Sequence, residues 1–121
     1  MAYIRLFPKS AQAEQRLAGD ATSVMNLIYQ ATKDVFNVPD HDIIVELNRC
    51  TAIAFNATAV NNGAIPDVVI QIATSDGELQ PQFQALCDEI ISKWDAQFGK
   101  MFKIELWVNL IDTWGCNIDF G

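Results

Sequence analysis

Two periodicities alternate along this chain, and their order sets the expected architecture. From Ala2 to Phe7 the apolar positions Ala2, Ile4 and Leu6 alternate with Tyr3, Arg5 and Phe7, the period-two pattern of a strand. After Pro8-Lys9-Ser10 the period changes. Leu17, Ala21, Val24, Ile28, Ala31 and Val35 recur at steps of four and three and form one helical stripe. Gly19 weakens that helix by about 1 kcal/mol, so the stripe is expected to bend there or to restart at Asp20, a good N-cap. Pro39 ends it.

The alternation returns over Asp42 to Cys50, Asp67 to Ala73 and Lys103 to Leu110, which predicts three more strands. A short strand is expected around Ala52 to Phe55, and Asn61-Asn62-Gly63 marks a turn. Ser75-Asp76-Gly77-Glu78 has the spacing of a capping box, with Pro81 as an alternative first-turn residue. Phe83, Cys87, Ile90, Trp94 and Phe98 then form a second helical stripe that Gly99 stops. The tail from Ile111 to Gly121 carries Trp114 and Phe120, which are expected to pack against the rest of the chain.

These elements read as two halves of one domain spanning 1–121, with pseudo-repeats over about 2–50 and 66–112. The expected fold class is α/β (α+β): two β-α-β units forming one four-stranded sheet with two helices on one face. The helix-covered face would collect residues such as Ile4, Leu6, Val45, Ile70, Ile72 and Leu106. The other face would hold Tyr3, Arg5, Phe7, Ile44, Glu46 and Trp107, with Lys103 and Glu105 beside them. That mixture is too apolar for a solvated surface and too polar for a core, so it predicts association between subunits.

Composition narrows the function classes. Across 121 residues, 50% are hydrophobic and 19% charged, a globular balance. A net charge of -7, with only eight Lys plus Arg and no basic cluster, argues against nucleic acid as a partner. No apolar run is long enough to span a bilayer, so no membrane partner is expected. The start of the chain shows no signal-peptide pattern, and Cys50, Cys87 and Cys116 show no CxxC pairing. Both features suit free thiols in a reducing cytoplasm. His41 is the only histidine, so neither a metal site nor a cofactor is expected.

Two local stretches carry a family resemblance. Phe36-Asn37-Val38-Pro39-Asp40-His41-Asp42-Ile43-Ile44-Val45-Glu46-Leu47 resembles the helix-to-strand turn of the tautomerase superfamily. Val108-Asn109-Leu110-Ile111-Asp112-Thr113-Trp114-Gly115 is similar to the C-terminal segment of its macrophage migration inhibitory factor branch. The resemblance implies a homotrimer of double β-α-β subunits, with pockets between neighbours that take small carboxylate-bearing molecules. It implies keto–enol chemistry at an N-terminal proline whose secondary amine is the base or nucleophile. This chain has Ala2 there. With Met1 removed, Ala2 would offer a primary amine with an ordinary pKa near ~8, which burial beside a cation lowers toward the useful range. With Met1 retained, the Ala2 nitrogen is an amide and has no basicity.

The remaining candidates each have an ordinary structural role to set against the chemical one. Arg5 and Arg49 suit a substrate carboxylate, because the guanidinium fork accepts it bidentately, but each can equally pair with Glu46 or Glu105. Lys103 resembles a pocket residue of the family's last strand and reads otherwise as a solvated lysine. Trp107 suits a pocket wall or a subunit contact. His41 reads as a loop residue, and Glu46 and Glu105 serve acid–base work only if burial raises one of them. Outside enzyme chemistry, the element order also fits a non-catalytic oligomer or a ferredoxin-like ligand-binding module.

Overall fold

A computed structural model describes residues 1–112; the expected packing of Trp114 and Phe120, and the thiol of Cys116, lie outside the described residues. Four strands form one sheet: β1 (Ala2–Pro8), β2 (Ile43–Leu47), β3 (Val68–Thr74) and β4 (Ile104–Leu110). Their order is β2-β1-β3-β4. Within each half the strands are parallel, β1 with β2 and β3 with β4, and the halves meet through an antiparallel β1–β3 pair. A parallel pair needs a crossover, and the helices supply it. Because β1 and β2 are adjacent, the units are not the split β-α-β of a ferredoxin-like domain, which removes that alternative.

The period-two reading fixes which face is buried. Ile4 lies between Val45 and Ile72, and Leu6 between Leu47 and Ile70. Ile4, Leu6, Ile70 and Ile72 have no exposed surface, and they pack with Val24, Ile28, Leu86, Ile90 and Trp94 from the helices. Truncating one of these isoleucines or leucines to alanine costs about 2–5 kcal/mol by lost transfer energy plus cavity.

The break near Gly19 is as expected. The elements depart from expectation in four details, each for a local reason: the Asp20 cap, the segment after β2, the cap before α4 and the length of β2. The first stripe is two helices, α1 (Ala11–Gly19) and α2 (Ala21–Phe36), meeting at Asp20 with φ -114° and ψ 27°. Asp20 stands at the start of α2 as expected, yet its side chain makes no capping bond; its amide closes α1 on the Leu17 carbonyl instead. The expected strand at Ala52 to Phe55 does not form, and the segment leads into a short helix, α3 (Ala57–Asn61). Alanine and the Asn56 N-cap position favour that local turn over an unpaired strand. At the second helix Asp76, and not Ser75, supplies the cap, accepting from the Glu78 amide at 3.0 Å. A 3₁₀ segment, Gly77–Gln82, absorbs Pro81 before α4 (Phe83–Phe98) begins. Finally, β2 is shorter than the apolar alternation suggested: Asn48 still donates to the Leu6 carbonyl at 3.0 Å, and pairing stops there.

Candidate functional site

Ala2 begins β1, the inner strand of its half, and is fully buried between Ile43 of β2 and Thr74 of β3. The chain around it gathers ionisable groups at the same end of the sheet. Asn37 takes a left-handed conformation, φ 52°, and ends α2. A 3₁₀ turn over Asp40–Asp42 then leads directly into Ile43. Lys33, in the last turn of α2, bonds the Val38 carbonyl at 2.8 Å and pairs with Asp40 at 2.9 Å. Tyr29 lies beside the same carboxylate. Lys33, and Tyr29 after it, hold Asp40 below the usual carboxylate range, and directing its proton at that carboxylate pushes the Tyr29 phenol up. His41 is exposed and lies 3.6 Å from Asp42. Tyr29 and Lys33 were not singled out in the sequence; their spacing of four residues, which puts both on one face of α2, was the available signal.

The second cluster lies on the sheet face without helices. Tyr3 donates to Glu46 Oε1 at 2.8 Å, and Asn48 Nδ2 donates to Glu46 Oε2 at 3.0 Å. These two bonds, with Arg5 adding to them, hold the Glu46 carboxyl below its ordinary value, so it is a poor proton acceptor. Arg5 Nε sits 3.6 Å from Glu46 Oε2, and its guanidinium carbon lies 4.6 Å from the Tyr3 ring centre. The cross-strand pairing with Glu46 expected for Arg5 therefore forms, as an ion pair longer than a hydrogen bond.

The other candidates are dispersed. Arg49 lies two residues beyond the end of β2, and Lys103 just before β4. Val68, opposite Ile104, is also opposite Pro8, so both cations sit at the far end of β1 from Ala2. Six strand steps separate the ends, about 20 Å. Lys103 Nζ bonds the Gly63 carbonyl at 2.7 Å, and its amide bonds Asp67 Oδ2 at 2.7 Å, a structural role. Trp107 is 55% exposed and its indole donates to Glu105 Oε1 at 2.8 Å. Within one chain, then, Arg5 and Trp107 share a surface, while Arg49 and Lys103 do not approach Ala2. A groove of about 580 Å³ on the helix side, lined by Ser23, Asn26, Leu27, Tyr29, Gln30 and Gln97, takes in none of these five residues. No group of three or more potential ligands able to hold a metal ion occurs among the described residues. No described helix is long and apolar enough to cross a membrane.

No family model matches this sequence, and no curated protein matches it. Solved structures do match. A 5-carboxymethyl-2-hydroxymuconate delta-isomerase superposes with a TM-score of 0.69 over 100% of this chain and 89% of that one, at 12% identity. A fused 4-OT, described as an asymmetric trimer, gives 0.63 over 90% and 85%, at 18% identity. A macrophage migration inhibitory factor-like protein from Entamoeba histolytica gives 0.54 over 96% and 93%, at 14% identity. With its two parallel pairs joined antiparallel and its helices on one face, this chain has the fold of the tautomerase superfamily, as found in the 4-oxalocrotonate tautomerase and macrophage migration inhibitory factor branches.

Proposed function

We propose that this protein is a tautomerase-like isomerase acting on small keto–enol or unsaturated carboxylate substrates, assembled as a homotrimer from single-domain subunits in a reducing cytoplasm. The observation that carries the reading is the seating of Ala2: fully buried, at the start of an inner strand, with ionisable groups at the same sheet end. A primary amine exposed there by loss of Met1 would move a proton between carbon and oxygen, its pKa lowered by burial. Arg5 or Arg49 would hold the substrate carboxylate, with Lys103 and Trp107 at the pocket wall. Since Arg49 and Lys103 stand about 20 Å from Ala2 in their own chain, they would serve the Ala2 of a neighbouring subunit. The bare sheet face, with Ile44 and Trp107 exposed on it, supports self-association. No cofactor is required by this mechanism.

Two observations favour a second reading, a non-catalytic oligomer. Lys103 is already committed to Gly63 and Asp67, and alanine stands where the family's reactive amine is a proline. Sedimentation velocity together with ketonization of phenylenolpyruvate separates the two. A trimer that turns the enol over supports the isomerase; a trimer without turnover, once Met1 is shown by intact mass to be absent, supports the oligomer.

A further inference from the structure

Met1 and Ala2 are neighbours in sequence, and the fold treats them oppositely. Met1 is 60% exposed and lies outside β1, whereas Ala2 has no exposed surface and opens the strand. Because β1 is an inner strand, Ala2 is paired on both sides, with Ile43 of β2 and Thr74 of β3. Tyr3 follows in the same two ladders, and its phenol is tied to Glu46 at 2.8 Å. The peptide bond between Met1 and Ala2 therefore stands where an exposed residue meets a clamped one.

Removing Met1 is a hydrolysis. The hydroxyl of a water goes to the Met1 carbonyl carbon, its proton goes to the Ala2 nitrogen, and the C–N bond between them breaks. Methionine leaves as the free amino acid, and Ala2 keeps a primary amine. An aminopeptidase carries this out in a concave site, and such sites enclose most of the surface of what they bind. Met1 alone does not reach into one; Ala2 and Tyr3 must follow it. In the folded protein that strips the start of β1 from both neighbours and breaks the Tyr3–Glu46 bond. Core strands open at close to the free energy of global unfolding.

We propose that the fold closes the Met1–Ala2 bond to aminopeptidases, so that the N-terminus is decided once, while the chain is being made. One ladder beside Ala2 needs Ile43, and the other cannot form until Thr74 has been synthesised. At about 5–20 residues per second, Thr74 is reached roughly 4–15 s after synthesis begins, and excision belongs to that interval. Chains that fold with Met1 in place keep it, and the two forms coexist without exchange. Only the consequence rests on the isomerase reading: the form with an amide at Ala2 is permanently without its base. The closure itself does not depend on any activity.

The test uses the full chain beginning at Met1, its retention verified by intact mass, and a methionine aminopeptidase. Two references accompany it. One is a peptide of residues 1–9; the other is the full chain with Gly-Ser-Gly inserted between Met1 and Ala2, which moves the scissile bond clear of the sheet. Loss of methionine is followed by mass over time. Both references should be processed readily. The folded chain should be processed about a thousandfold more slowly or less, because cleavage through an open state scales with its population. Faster processing of the folded chain, an insertion chain as resistant as the folded one, or an unprocessed peptide overturns the proposal. Ketonization of phenylenolpyruvate by the two N-terminal forms separates the claims. Turnover by the form lacking Met1, with rapid processing of the folded chain, removes the closure and leaves the isomerase reading intact. Resistance of the folded chain with no turnover in either form does the reverse.

Discussion

Tyr3 gives its phenolic proton to Glu46 Oε1 at 2.8 Å, tying an inner strand to an edge strand on the face without helices. The bond makes Glu46 more acidic and supports the ring on which Arg5 rests. Tyr3→Phe should therefore raise the Glu46 pKa toward its ordinary value. Because the folded pKa is depressed, the contribution of Glu46 to stability is present above the ordinary carboxylate value and lost as pH falls through the folded one. Carboxyl NMR titration of both proteins should show the upward move, and the phenylalanine variant should lose less stability on acidification. An unchanged Glu46 titration would show that this bond does not set it.

Gly99 ends α4 at φ 61° and ψ -145°, a region that side-chain-bearing residues avoid. An added Cβ would meet no atom within 4 Å, so space is not the obstacle. Gly99→Ala should still destabilise by about 1–3 kcal/mol through backbone strain, measured by urea unfolding. Neutrality would mean that the α4–β4 turn relaxes freely.

Trp94 is buried against Phe98 and Phe102, with ring centres 4.8 and 6.1 Å away. Its indole N–H has no hydrogen-bond partner among the described residues. Trp94→Ala should cost about 3–5 kcal/mol as a cavity. Trp94→Phe should cost far less, because it also removes a buried donor whose desolvation costs about 1–3 kcal/mol. Equal losses for the two variants, by thermal or chemical unfolding, would contradict that balance.

Lys103 joins the turn before β4 to Gly63, at the start of the loop that follows α3. Lys103→Met should speed amide exchange around Gly63 to Asp67 while changing global stability by no more than about 1 kcal/mol, as for exposed pairs. An unaltered exchange pattern would return Lys103 to the list of residues free for a ligand.

The alternation of Ile4, Leu6, Ile70 and Ile72 was enough to read β1 and β3 and their buried face, because one slipped residue would turn each of them to solvent. Pairing was less legible: the antiparallel β1–β3 contact joins residues 60 to 72 positions apart, and no local pattern announces it. Capping was misread by one residue, since both Ser75 and Asp76 carry acceptors and Pro81 decides where regular α geometry begins. Among candidate site residues, Arg5 with Glu46 was readable from facing strands. The Tyr29–Asp40–Lys33 group was not, because it needs the left-handed Asn37 to fold the chain back on α2.

The central claim is a buried N-terminal amine acting at Ala2. The most direct measurement compares phenylenolpyruvate ketonization by the chain lacking Met1, verified by intact mass, with the same chain acetylated at Ala2. The account predicts turnover above the uncatalysed rate in the free-amine protein and its loss on acetylation. Equal rates in the two proteins, or no turnover in either, would contradict it.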